Sequence, residues 1–310
     1  MLVKIGRRDF LEGLYRGLVA MGVGSLVSFE DLARAAALPV AQKPKLVWLH
    51  GSSCSGCSVS FLNSTSIPVL DIVTKFVDLV YHPDISSATG HQVEQLLERV
   101  ADDKTPIVFL FEGGIPEGLP EACVMAERPI GAWVERLVPH ARAAIAVGTC
   151  ATRGGIAGMP GTLTGSTSLE GYIERRGIET PVVSIPGCPV KPEHIVYVLL
   201  HLIQKGELPP LDERHRPLAQ FGHTVHERCI YYASFQEKQF ARFIGDDGCL
   251  FKLGCQGPIT RNDCLVRGHN DNINTCIRAG HPCIGCASDR FPRRFMMHAY
   301  DDPRVGKLKE

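Results

Sequence analysis

Residues 43–60 read KPKLVWLHGSSCSGCSVS. A short apolar run, Leu46 to Leu49, lies between Pro44 and Gly51, and two cysteines, Cys54 and Cys57, follow it at once. So short a run with turn residues at both ends reads as a strand buried on both faces. Strands of that kind build parallel sheets covered by helices, and such sheets bind ligands just beyond their carboxyl ends. The two thiols therefore stand where a ligand is expected.

The pattern recurs down the chain. VDLVYHPDI (77–85), TPIVFLFEGG (105–114), AAIAVGTC (143–150) and ETPVVSIPGC (179–188) read as four further strands. Between and after them, GHQVEQLLERVADD (90–103), GAWVERLVPHAR (131–142) and a segment opened by Pro192 and closed by Gly206 read as helices. Strands alternating with helices predict an α/β fold, a flavodoxin-like doubly wound parallel sheet over 43–206. Cys150 and Cys188 then fall at the ends of the fourth and fifth strands, beside Cys54 and Cys57. Four thiolates suit a tetrahedral zinc or a 4Fe–4S cluster. A redox disulfide would use Cys54 and Cys57 and leave the other two unexplained. No G-x-G-x-x-G follows the first strand, so a dinucleotide site is not expected.

From 207 to 310 the texture changes. Periodicity is poor, and seven cysteines lie between residues 229 and 286. A smaller, irregular domain with little apolar core needs cross-links or metals for order. Seven thiols pair badly as disulfides. With one histidine they make two sets of four, and His226 stands at His-x-x-Cys spacing before Cys229. Cys123, in GLPEACVMAERP, fits no set and reads as an idle thiol. His223 reads as a surface residue, His194 as packed or capping at a helix start, and His281 as a neighbour of cysteine ligands.

Composition bounds the partners. The chain has 310 residues, 33 basic and 33 acidic, and a mean hydropathy of +0.03. Zero net charge gives no electrostatic case for nucleic acid. No apolar run is long enough to span a bilayer, and the last residues, YDDPRVGKLKE, are polar, so no membrane anchor is expected. At the other end, Arg7 and Arg8 precede Phe10 and Leu11, a modest apolar stretch and the small residues ARAAALPVAQ. Residues 1–40 thus resemble a twin-arginine signal for the periplasm. That route carries folded cargo, so ligated cysteines would not meet the periplasmic oxidant free, and disulfides lose their default status.

WLHGSSCSGCSVS, VGTCATRGGI, PGCPVKPEHI, TVHERC, CLFKLGCQGP and AGHPCIGC together resemble the small subunit of nickel–iron hydrogenases, over essentially the whole chain. The resemblance implies three iron–sulfur clusters. A proximal 4Fe–4S cluster would take Cys54, Cys57, Cys150 and Cys188, and a distal 4Fe–4S cluster His226, Cys229, Cys249 and Cys255. A medial cluster would take Cys264, Cys283 and Cys286. Many relatives have proline where this chain has Cys276; a thiol there implies a medial 4Fe–4S cluster in place of 3Fe–4S, as in the nickel–iron–selenium branch. No nickel is expected in this chain. The catalytic centre would lie in a large-subunit partner, and electrons from hydrogen would leave for a cytochrome or membrane redox subunit. A hydrogen-sensing regulatory subunit is the alternative. Oxygen-tolerant relatives carry two extra cysteines near the proximal cluster; Gly56 and Gly155 stand there, so ordinary oxygen sensitivity is expected.

Overall fold

The computed structural model describes residues 42–292, apart from 65, 270 and 271, together with 12, 15, 16, 36 and 37. The export segment expected over 1–40 thus lies outside the described residues but for those five, as does the polar tail.

Five strands form one parallel sheet: β1 (Lys45–His50), β2 (Asp78–Tyr81), β3 (Ile107–Glu112), β4 (Ala141–Val147) and β5 (Val182–Ile185). Their order across the sheet is β2-β1-β3-β4-β5, with every neighbour parallel. This is the flavodoxin-like order, whose switch point lies between β1 and β3. The strand side chains alternate. Leu46, Trp48, Val108, Leu110, Ile145 and Val183 face one buried cluster, while Val47, Leu49, Phe109, Phe111 and Ala144 face another. Continuous apolar runs are required because both faces are covered.

The first face is covered by α1 (Gly56–Leu62) and, later in the chain, by the helix Pro192–Lys205. The second is covered by α2 (His91–Asp102) and α3 (Ile130–Leu137). α2 buries Val93, Leu97, Val100 and Ala101, one stripe at helical spacing. Leu97 is fully buried, so its truncation to alanine would cost about 2–5 kcal/mol. α4 (Gly148–Arg153) follows β4 directly, α5 (Leu169–Glu174) packs on the second face, and α6 is the helix Pro192–Lys205.

Several sequence boundaries move, and the fifth strand ends at Ile185, three residues before Cys188. β2 stops at Tyr81 instead of running to 85, because Pro83 cannot donate to a ladder and the chain turns there. α3 stops at Leu137; Pro139 sits in a tighter turn, Val138–His140, and β4 begins at Ala141. Cys150 lies inside α4 instead of at the end of a strand.

Beyond 207 the described helical elements are about one turn long, such as Tyr232–Gln236 and Cys264–Arg267. Two small apolar clusters form there. One centres on Val225, Leu265, Ile277 and Cys283, the other on Ala241, Leu250 and Leu253. Phe221 and Ala287 pack instead into the first face of the sheet. No helix among the described residues is long and apolar enough to cross a membrane.

Candidate metal centres

The first group forms at the carboxyl edge of the sheet. After β1 the chain is pinned to the end of β3: Gly51 N–H donates to the Glu112 carbonyl at 2.7 Å and Ser52 N–H to the Gly114 carbonyl at 2.8 Å. Ser55, in the left-handed region, turns the chain into α1, which carries Cys57 in its first turn. Gly148 opens α4 at φ +85°, and a β-carbon there would lie 2.4 Å from Cys57 Sγ. Gly155, at φ +62°, would place a β-carbon 2.4 Å from Cys150 Sγ. Glycine is needed at both places to let backbone close on the sulfurs. Thr149 N–H donates to the Gly187 carbonyl at 2.8 Å, and its hydroxyl accepts from Gly187 N–H at 3.0 Å, which fixes Cys188 beside Cys150. Cys54, Cys57, Cys150 and Cys188 line one cavity of about 90 Å³, with Glu112 and Gly113 in its wall.

The second group is Cys264, Cys276, Cys283 and Cys286, which line a cavity of about 30 Å³ together with Thr275 and His269. The third is Cys229, Cys249, Cys255 and His226. A β-carbon at Gly257 would touch both Cys255 Sγ (3.4 Å) and the His226 backbone (3.6 Å). The His226 ring stands edge-on to Phe235 at 4.5 Å and to Tyr232 at 5.2 Å. Two sets of four cysteines thus line cavities, and Cys229, Cys249 and Cys255 face one another with His226 close by in the chain.

Several of these thiols are held against ionisation. Burial pushes Cys150 up to about 11, with help from Cys188 and Cys54. Burial lifts Cys57 well above the usual range, and the Glu112 carboxylate adds to it. Burial likewise raises Cys264 to about 11, and it raises Cys286 to about 12, where Cys264 adds repulsion. Burial raises Cys229 and Cys255, with Cys255 and Cys249 repelling the first and Cys249 the second. A bound metal would reverse this, because its charge stabilises the thiolate form. Backbone amides already point at the sulfurs: Val190 at Cys57, Ile156 at Cys150, Gly285 at Cys283.

Thiolates on a single tetrahedral zinc stand about 3.8 Å apart, given Zn–S near 2.3 Å. Among the described residues, the only trio whose ligand atoms all lie within 4.8 Å of one another is His50, His82 and Asp84, with no cysteine. Within that trio, His82 is already hydrogen-bonded at both ring nitrogens. Asp84 N–H donates to His82 Nδ1 at 3.1 Å, so Nε2 carries the ring proton and faces Ser58 Oγ at 3.4 Å. Among the described residues, no three cysteine sulfurs lie that close together.

The groups run in series. The Thr149 hydroxyl donates to the Cys286 carbonyl, and the Cys188 amide reaches the Cys286 sulfur, joining the first group to the second. Gln256 N–H donates to the Cys283 carbonyl at 2.8 Å, and the Cys283 amide reaches the Cys255 sulfur, joining the second to the third.

Two features escape sequence reading. Glu112, only 2% exposed, takes hydrogen bonds from the amides of Cys57 (3.1 Å) and Ser58 (2.9 Å) and from the Ser58 hydroxyl (2.6 Å). Burial alone would raise its carboxyl, but His50, Ser58 and the Cys57 amide outweigh that and hold it low. A lone charge ending the apolar run IVFLFE was the available clue. The other is a buried ion cluster, Lys191, His194, Asp263 and Arg267. His194, read as packed or capping, is packed against Phe221 and bonded to Asp263. His223 is exposed and pairs with Glu227, His281 bonds the Pro282 carbonyl, and the Cys123 thiol lies 3.9 Å from the His50 carbonyl.

A flavodoxin-like sheet with a thiol cage at its ligand edge, continued by a cysteine-dense segment, is the build of an iron–sulfur redox protein. Comparison with known proteins narrows that class. Residues 221–299 match the family model for the C-terminal part of the NiFe/NiFeSe hydrogenase small subunit, and 54–202 match that for the 20 Kd subunit of NADH ubiquinone oxidoreductase. The periplasmic [NiFeSe] hydrogenase small subunit of Desulfomicrobium baculatum is 32% identical over 94% of this chain and 97% of its own length. The hydrogenase-2 small chain of Escherichia coli is 33% identical over 91% of this chain and 76% of its own. The crystal structure of the reduced, active nickel–iron–selenium hydrogenase from D. baculatum superposes with a TM-score of 0.76 at 32% identity, covering 81% of this chain and 96% of that one. The chain belongs to the NiFe/NiFeSe hydrogenase small-subunit family.

Proposed function

We propose that this chain is the electron-relaying small subunit of a periplasmic hydrogenase, exported by its Arg7–Arg8 signal and paired with a large subunit that carries the nickel–iron centre. In this reading residues 43–206 form the domain of the proximal 4Fe–4S cluster, on Cys54, Cys57, Cys150 and Cys188. Residues 207–310 hold the medial 4Fe–4S cluster on Cys264, Cys276, Cys283 and Cys286, and the distal 4Fe–4S cluster on His226, Cys229, Cys249 and Cys255. Clusters so held supply one-electron transfer between the partner's catalytic centre and a cytochrome or membrane redox subunit.

The observation that carries the reading is the serial contact of the three groups, through Cys188 and Cys286, then through Cys283 and Cys255. The chain's own residues do three things. Glycines 148 and 155 open room at the sulfurs. Backbone amides donate to those sulfurs and stabilise their charge. Burial excludes water and holds the ligands at fixed separations. His226, half-buried among aromatic rings at the end of the series, is the exit-side ligand.

Replacing His226 by glutamine tests the order. Hydrogen–deuterium exchange at the partner's centre should persist while reduction of the natural acceptor slows at least tenfold. Loss of both in a fully assembled heterodimer would contradict the assigned order.

A further inference from the structure

Asp263 is 5% exposed and holds three neighbours. Its Oδ1 lies 2.5 Å from Lys191 Nζ and 2.9 Å from His194 Nε2, and its Oδ2 lies 2.5 Å from Arg267 Nε. Lys191 is 1% exposed and His194 is fully buried. The charges do not cancel. Burial drives His194 toward its neutral form, so two cations face one carboxylate and leave one net positive charge in the interior.

The location of that charge matters. Lys191 follows Cys188 by three residues, and Asp263 directly precedes Cys264. The ion cluster therefore ties the loop bearing the last proximal cysteine to the turn bearing the first medial one. A lysine buried this deeply is costly unless it is paired and useful. A surface pair would serve to tie loops at far lower cost.

We propose that the Lys191–Asp263–Arg267 cluster positions Cys264 and raises the reduction potential of the medial cluster by its uncompensated positive charge. This rests on the assignment of Cys264, Cys276, Cys283 and Cys286 as medial ligands. Reduction adds a negative charge, and a fixed cation in a low-dielectric interior favours the state that carries it. The fourth thiolate, Cys276, works in the other direction. The cation offsets it and keeps the medial step from becoming a trough between its neighbours.

The test uses the assembled heterodimer and a redox titration of the medial signal followed by electron paramagnetic resonance. Work at pH 8 keeps His194 neutral even if its own value relaxes toward 6.5. Lys191→Met should move the medial reduction equilibrium at least tenfold toward the oxidised form, about 59 mV for one electron. Asp263→Asn should move it the opposite way, while the proximal and distal potentials stay near their original values. Opposite signs separate a field effect from mere loosening, which would shift both variants alike. An unchanged medial potential in either variant with its iron intact, or shifts of the same sign, would overturn the inference. If the native heterodimer lacks a medial signal altogether, the ligand assignment itself fails, and the inference with it.

Discussion

The hydroxyl of Thr149 donates to the main-chain carbonyl of Cys286, although the two residues are 137 apart in sequence. Thr149 directly precedes Cys150, so one side chain ties the thiol cage at the sheet edge to the cysteine-dense segment. The same hydroxyl accepts from Gly187 N–H, which completes its bonding.

Removing that hydroxyl leaves the partly buried Cys286 carbonyl and the buried Gly187 amide unpaired. Thr149→Val should therefore cost about 2–4 kcal/mol, one to two lost buried bonds. Thr149→Ser should recover most of it. Thermal unfolding of the three proteins, with iron counted in each, checks this.

Gly155 and Gly177 have similar backbone angles, φ +62° and +65°, but different surroundings. A β-carbon at 155 meets Cys150 Sγ at 2.4 Å, and one at 177 meets nothing within 4 Å. Gly155→Ala should lose the proximal site, about four irons per chain. Gly177→Ala should keep its iron and lose only about 1 kcal/mol of stability. Metal analysis of the two variants separates crowding from backbone strain.

His82 is 1% exposed, and its ring lies 4.7 Å from that of Trp48. Burial, and then His50, pull it down to about 4 from the ordinary 6.5. The sign follows from proton counting. Between these values the unfolded chain binds a proton that the folded chain refuses, so stability falls as pH drops from 6.5 toward 4. The slope is up to about 1.4 kcal/mol per pH unit. The thermal midpoint should fall between pH 7 and pH 5, and less steeply in His82→Gln. An identical slope in that variant would show that His82 is not responsible.

Cys276 decides the size of the medial cluster. Cys276→Pro should convert it from four irons to three, with a new 3Fe–4S resonance in the oxidised protein and a higher medial potential. Iron should drop by about one per chain, and the proximal and distal signals should persist.

The sheet was legible because each strand is a short run of apolar residues with turn residues at its ends, and burial on both faces demands that pattern. All five strands and the three long helices lie where the runs and caps put them. Errors fall at the edges. Pro83 and Pro139 end their elements early, and the break into α4 at Gly148 depends on a positive φ beside Cys57 that no local pattern declares. Cys-x-x-Cys and His-x-x-Cys marked metal-binding thiols in the chain itself, while the division of the later cysteines into sets rested on the family resemblance. Glu112 and the Lys191–Asp263 pair were not legible, because each works through partners more than 50 residues away. Distant ion pairs leave no periodic trace.

The central claim is a chain that carries iron in three places and serves hydrogen chemistry in a partner. The measurement that tests it most directly is native purification through this chain, with hydrogen-dependent viologen reduction and iron assayed on one sample. The expected result is a large subunit in the complex, hydrogen-dependent dye reduction, and about twelve cluster irons beyond the partner's own. A complex without hydrogen-dependent activity, or one with iron for fewer than three clusters, would contradict it.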